Sequence, residues 1–293
     1  SFRGFSFLGI MASEKPSWRN WANLVAFVLN LGITYGSLTG IFGKTNTDLS
    51  AKYQTLVTPA GWAFSIWGPI FIWEGVFAAT QMCQKWRDSS VVVSMTPFWL
   101  AACAFQCLWT VTFAQEQILL SCICMLGILL SLLAGIAWTD RRMFPASDFW
   151  LLRAPFSLHG GWIVAASAVN INVLGDRFQA EPDTQLALAI VSLGVVFALV
   201  SRFGTAPRGD AIICLVAAWA LAAIYAELGK AEHLKDPTRF NFYDWPDLDL
   251  RAVRLSALIL SLSSLGLAVV ATIRRLTWQG TKHQQAEASL PFA

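Results

Sequence analysis

Glu74 and His159 are the residues whose type and setting point most directly to chemistry. Each stands inside a run that is otherwise apolar. Glu74 closes the stretch Thr58-Pro-Ala-Gly-Trp-Ala-Phe-Ser-Ile-Trp-Gly-Pro-Ile-Phe-Ile-Trp-Glu74, and His159 lies in Leu151-Leu-Arg-Ala-Pro-Phe-Ser-Leu-His-Gly-Gly-Trp162. An ionisable group at bilayer depth is costly, so it turns inward and takes a partner. At 100° per residue, a helix puts Phe64, Trp67, Phe71 and Glu74 on one face and Trp62, Ile66 and Trp73 on another. The acid therefore belongs to an aromatic stripe. On the second stretch His159, Trp162, Ala166 and Asn170 follow one stripe, with Gly160-Gly161 opening space beside it. Glu74 and His159 both fall about one turn or less to the same side of their helix midpoints, so they can be level. A Glu74–His159 pair is expected, either as mutual structural satisfaction or as a polar handle for a ligand. The plainer readings are a neutral Glu74 acting as interhelical packing glue and a His159 bonded to a backbone carbonyl.

The elements that must hold these residues are membrane helices. Hydrophobic residues make up 56% of the 293-residue chain and charged residues 13%, with a mean hydropathy of +0.54; soluble domains carry about 25% charged residues. The formal charge of +3 is spread without a basic block, which argues against a nucleic-acid partner. Cys83, Cys103, Cys107, Cys122, Cys124 and Cys214 lie in or at the ends of apolar runs and read as packing residues. Neither a disulfide framework nor a metal site is suggested, because Cys122 and Cys124 point to opposite sides of a helix and no His is near them in sequence.

With about 20 apolar residues per span, eight helices are expected, near 21–43, 62–83, 97–114, 118–138, 150–174, 185–203, 210–229 and 252–273. The third is expected to be the shortest, and the fourth, rich in Leu and Ile, to form a lipid-facing wall. Most Lys and Arg fall beside the termini and in the loops after helices two, four and six, which puts both termini on the cytoplasmic or equivalent side. Gly32, Gly36 and Gly40 form a small-residue ridge on helix one, suited first to a neighbouring helix of this chain and second to another protomer. Pro69 should kink helix two. The loop from Lys44 to Val57 is long enough to fold over the mouth of that helix. Residues 1–10 read as a targeting remnant or upstream sequence. Trp18, Trp86, Trp138, Trp150, Trp245 and Trp278 read as interfacial anchors, Trp99 fits the same belt, and the Phe240–Pro246 connector suits the outer interface. Asp210 and Glu227 stand at the two ends of helix seven, where water can reach them.

Helices one to five resemble the TspO/MBR family (translocator protein, tryptophan-rich sensory protein, peripheral benzodiazepine receptor), in its longer, divergent branch. The residues carrying the likeness over about 20–175 are the glycine-bearing first helix, the long loop, Pro59, Trp62 and Phe64, then Gln106, Trp109 and Phe113 in helix three, and Pro155, Phe156, Leu158, Trp162, Ala166 and Asn170 in helix five. Ala60 stands where the family pairs a second proline, and Val173–Arg177 lacks the Tyr of its cholesterol motif.

The resemblance implies a five-helix TspO-like bundle over 21–175; the apolar runs add three C-terminal transmembrane helices over 176–275 with no counterpart in the five-helix proteins, so that an all-α integral membrane protein with a 1–20 tail and a 276–293 tail is expected. The resemblance also implies a membrane receptor or carrier for a flat hydrophobic ligand, a tetrapyrrole (porphyrin) or sterol, held between helices one, two, three and five. Its site would comprise Pro59, Trp62, Phe64, Trp67, Phe71, Glu74, Gln106, Trp109, His159, Trp162 and Asn170, the Trp residues as flat walls and Glu74, His159 and Asn170 as polar groups. No cofactor is required; the bound molecule would be a tetrapyrrole or a lipid, with His159 the one side chain offering haem an axial nitrogen. The alternative is a structural accessory subunit of a photosynthetic or respiratory membrane complex. No nucleophile motif, phosphate loop or inverted repeat favours an enzyme or an alternating-access transporter. The expected partners are membrane lipids, the small hydrophobic ligand, and a second copy or a larger membrane assembly.

Overall fold

The computed structural model describes residues 15–234 and 245–288. The segment 1–10 and most of the Phe240–Pro246 connector lie outside the described residues. The chain folds as an all-helical, multi-pass integral membrane protein.

Eight long helical segments carry the fold: α1 (Trp18–Ser37), the 3-10 turn Gly61–Ile66 running into α3 (Trp67–Thr80), α4 (Ser90–Ala114), α5 (Ile118–Thr139), α7 (Ala154–Arg177), α8 (Pro182–Gly204), α9 (Ala211–Leu234) and α10 (Asp247–Ala288). Two short helices sit between them, α2 (Asn46–Lys52) and α6 (Ala146–Asp148). Among the described residues, six segments are long and apolar enough to cross a membrane by composition, Gly61–Thr80, Ser90–Ala114, Ile118–Thr139, Pro182–Gly204, Ala211–Lys230 and Asp247–Trp278. The other two, α1 and α7, carry more polar side chains, and these face the protein. Asn20 and Asn23 of α1 donate to the Gln81 side chain at 3.3 and 3.0 Å, Asn23 also reaches Thr96 at 2.9 Å, and Asn172 of α7 donates to Ser192 at 2.9 Å. In an apolar surround such bonds tie helices together without water competing for them.

Local chemistry moves two expected boundaries. The third long helix begins at Ser90 rather than 97, because the Ser89 hydroxyl caps the Val91 amide at 3.3 Å and buried Val91, Val92 and Met95 hold the first turns in the core. It is therefore 25 residues long and not the shortest, and it carries Pro97 inside. Pro69 does not kink a mid-helix: the α-helix starts at Trp67, so Pro69 falls in its first turn, where the missing N–H is an orphan anyway.

Packing changes three further expectations. The Gly32 position meets nothing within 4 Å and Gly36 only Phe42 at 3.9 Å, so the ridge seats no helix of this chain; Gly40 lies beyond α1 in a turn at φ 77°. Trp99 is fully buried rather than interfacial, edge-on to Phe77 and Phe156 with ring centroids 6.2 and 5.3 Å apart. Gly160-Gly161 opens no room for a ligand. A Cβ on Gly161 would stand 2.9 Å from the Val216 Cβ and 3.2 Å from the Ile213 Cα, and one on Gly160 3.1 Å from Ile136, so the pair lets α9 and α5 close onto α7. As expected, Leu119, Leu120, Ile123, Leu126 and Leu130 of α5 face outward.

One core runs through both expected halves, from Ala60 and Trp99 to Val196, Ala217 and Ala268. A buried ion-pair network fastens them. Arg153, fully buried in the π-helical turn Phe149–Arg153, donates through Nε and Nη2 to the two oxygens of Asp140 at 3.1 and 2.9 Å and through Nη2 to Asp210 at 3.2 Å. Ser157 also donates to Asp210, at 2.7 Å. Asp210 is thus a buried tie between α7 and α9, not a solvated helix end.

Candidate functional site

Between α1, α2, α3, α4 and α9 the bundle holds an open cavity of about 800 Å3, and an inner recess of about 70 Å3 that shares Pro59, Phe64, Trp67 and Trp109 with it reaches α5 and α7. Of the residues singled out in the sequence, Pro59, Phe64, Trp67, Phe71, Gln106, Trp109, Trp162 and Asn170 line it. The Pro59 segment is positioned by α9, since the Ala60 amide donates to the Ala223 carbonyl at 3.1 Å and the Thr55 amide donates to the Thr58 hydroxyl at 2.8 Å. The following 3-10 turn swings Phe64 against Trp162, edge to face with centroids 5.6 Å apart. Trp67 stacks on Phe71 at 5.6 Å, and Trp109 on Phe113 at 5.1 Å. These paired rings make two flat apolar walls.

Four wall residues each hold a polar atom sealed within the side-chain packing. Gln106 Oε1, Trp109 Nε1, Asn170 Oδ1 and Gln54 Oε1 are buried and lack a hydrogen-bond partner among the described residues. Leaving such an atom unmet costs about 1–3 kcal/mol. A ring-lined cavity whose wall residues also carry polar groups suits a molecule that is mostly apolar with a polar edge.

The loop after α1 covers the mouth with α2. Thr45 and Asp48 form a capping box, the Asp48 amide donating to Thr45 Oγ1 at 3.2 Å and the Thr45 amide to Asp48 Oδ2 at 3.1 Å. Gly43, at φ 137°, lets the loop pass the end of α4 where a Cβ would meet the Ala114 carbonyl oxygen at 2.4 Å. Glu116, in the α4–α5 turn, latches this lid: it pairs with Lys44 at 2.9 Å, accepts from the Tyr53 hydroxyl at 2.7 Å and pairs with Lys52. Lys52 first, then Tyr53 and Lys44, hold its carboxyl at about 2, against an ordinary 4.5. Since the folded value is the lower one, the latch contributes fully above the ordinary carboxylate range and is lost as pH falls through about 2. Glu116→Gln is expected to speed amide hydrogen exchange in α2 by about three- to tenfold at neutral pH, the scale of two exposed pairs. Unchanged protection of α2 would dismiss the latch.

Glu74 and His159 do pair, His159 Nδ1 lying 2.7 Å from Glu74 Oε1 with both side chains fully buried. Neither lines the cavity. Trp67 does, and its ring meets the imidazole edge-on at 5.7 Å, making it the wall between the pair and the cavity. The expected direct ligand contacts of Glu74 and His159, and with them an axial nitrogen for haem, are therefore closed off in this conformation. Trp62 is also outside: it is 45% exposed and packs edge-on against Trp219 of α9 at 4.6 Å.

The TSPO-like protein family model matches residues 20–273. The chain belongs to the TSPO-like family. Searches of curated proteins and of solved structures returned no match. The match of this TSPO-like protein runs well past residue 175, so the three C-terminal helices fall within the family pattern. Their contribution to the cavity is direct: Ala220 and Ile224 of α9 line the inner recess, and Glu227 and Lys230 line the outer part, where Gln54 donates to Glu227 at 3.3 Å. Glu227 is a buried wall residue rather than a solvated helix end. Sequence reasoning also passed over Tyr35, Leu49, Tyr53, Met125 and Val169. Only Tyr35 and Tyr53 carry a local signal, as aromatics flanking the polar loop; the rest are apolar residues among many.

Proposed function

We propose that this TSPO-like protein is a membrane receptor or carrier, not an enzyme, that binds a flat hydrophobic molecule, a tetrapyrrole or sterol, beneath the α2 lid. The observation that carries this reading is the ring-lined cavity, whose wall residues Gln54, Gln106, Trp109 and Asn170 also carry polar groups. A tetrapyrrole suits such walls, since its faces stack on Trp67, Trp109 and Trp162 while a carboxylate at its edge accepts from the Trp109 indole N–H and the Gln106 side-chain amide. No protein-bound metal enters the reading. The start of α1 and the C-terminal part of α10 stand at the Arg-rich end, which we assign to the cytoplasmic or equivalent side, and the cavity opens towards the other side.

Titration of the purified protein with protoporphyrin IX, followed by tryptophan quenching and the Soret band, tests it. Saturable binding is expected, weakened about tenfold by Trp67→Leu through loss of stacking area. Trp138→Leu, at the exposed far end of α5, is expected to leave it unchanged. Absence of saturable binding for protoporphyrin IX and for cholesterol, or equal sensitivity to both substitutions, would shift the assignment to a structural subunit of a larger membrane assembly.

A further inference from the structure

At the end of the bundle away from the cavity, two guanidinium groups form no ion pair with an acid among the described residues. Arg208, in the α8–α9 loop, lies over Trp278 at 4.1 Å and Phe144 at 5.2 Å from the ring centroids, with Nη2 3.3 Å from Met143 Sδ. Arg275 of α10 stacks on Phe149 at 3.7 Å and donates through Nε and Nη2 to the Gly209 carbonyl at 3.3 and 3.1 Å. Both are half-buried. The carboxylates in reach, Asp140 and Asp210, are taken by Arg153, and among the described residues neither Arg208 nor Arg275 pairs with an acid. Three guanidinium groups thus share two carboxylates. Burial, and then the charge of Arg153, push Arg208 below its ordinary value against the pull of Asp140, the direction expected of a cation that lacks an anion.

We propose that Arg208 and Arg275 form a site for the phosphodiester of an anionic membrane lipid. The charge and fork geometry of Arg208 fit a phosphate oxygen pair, and Arg275, whose Nε–Nη2 edge is held by the Gly209 carbonyl, adds its charge beside it. A lipid is the source that fits the surroundings: the site lies at the aromatic belt, and the exposed Ile273 and Leu276 beside Arg275 offer acyl chains an apolar track along α10. Trp278 and Phe144 hold the Arg208 plane in place, so the site is built before the headgroup arrives. It is independent of the cavity at the other end.

The test measures binding of phosphatidylglycerol against phosphatidylcholine to the full-length protein in detergent, by native mass spectrometry and by the rise in Tm that each lipid gives. Wild type is expected to prefer phosphatidylglycerol. Arg208→Gln is expected to weaken phosphatidylglycerol binding about tenfold, the loss of one charge-assisted hydrogen bond. Arg142→Gln, removing an exposed charge nearby, is expected to leave it within about twofold, the scale of an exposed charge. Equal losses from both substitutions would mean diffuse surface charge and overturn the site, as would no loss from Arg208→Gln. If inorganic phosphate raises Tm as much as the lipid does, the ligand is a free anion and the lipid assignment falls. Should Arg208→Gln fail to fold, Arg208→Lys decides. It keeps the charge and loses the fork, so undiminished binding overturns the bidentate site and a clear loss supports it.

Discussion

His159→Leu is expected to lower the stability of the protein by about 3 kcal/mol, and Glu74→Leu/His159→Leu to restore most of that loss. The single change leaves Glu74 inside the bundle with both oxygens unmet, because Oε2 already lacks a partner and Oε1 has only the imidazole. Full burial on both sides of the pair means that no water replaces the lost bond. That is why the expected cost exceeds the roughly 0.6 kcal/mol average of interhelical hydrogen bonds in membrane proteins, where the broken partner usually finds another. The double change removes both polar groups and keeps apolar volume, so the remaining cost is a packing defect of about 1 kcal/mol. Reversible unfolding in mixed detergent micelles reads both numbers. Strict additivity of the single losses would show that the pair is not coupled, whatever its geometry. Ligand affinity separates the pair from the cavity: it should change far less in Glu74→Gln than in Trp67→Leu, because Trp67 stands between them.

That pair was legible in the sequence because each member is conspicuous against its background. An acid and an imidazole at matching depth in two apolar helices have few other partners, and the bilayer penalises leaving them apart. The aromatic walls were legible for a related reason, since the Phe64, Trp67 and Phe71 spacing is helical even though the first of them sits in a 3-10 turn. What the periodicity could not separate was core from lipid. Both are apolar, so a membrane helix has no polar face to mark its outside. Trp99 and Trp138 look alike in sequence, yet one is sealed between Phe77 and Phe156 and the other stands 45% exposed. Glu74 was read as a cavity residue for the same reason: its face was right, but the bulk of Trp67 between it and the open space is a tertiary fact.

The role of α9 shows the same limit at longer range. Its cavity residues, Ala220 and Ile224, are small or aliphatic and carry no signal beyond being apolar. Their place follows from Gly161, which admits the α9 backbone against α7, and from the Ala60 amide bonded to the Ala223 carbonyl. A five-helix core with three added helices describes the order of the chain. The packing describes one body, in which α9 supplies a wall of the site.

The same argument predicts what happens when α9 loses its hold. Arg153→Met keeps the length and apolar stem of the side chain and removes its charge, leaving Asp140 and the almost fully buried Asp210 facing one another, with the Ser157 hydroxyl and the Ile213 amide as the remaining donors to Asp210. Removing one member of a buried ionic group costs about 3–5 kcal/mol, most of it the penalty of the charges left behind. Adding Asp210→Asn to Arg153→Met should recover part of this, since one uncompensated carboxylate is removed while the hydrogen bond from Ser157 can persist. The loss should concentrate in the attachment of α9, so hydrogen exchange should rise first in Ala211–Leu234 and only later in α4 and α5. Because Ala220, Ile224 and Glu227 move with that helix, protoporphyrin IX affinity should fall in Arg153→Met although the change lies at the opposite end of the bundle from the cavity. A variant within about 0.5 kcal/mol of wild type, the range of an ordinary surface substitution, would mean that the apolar core alone seats α9 and that the network is dispensable.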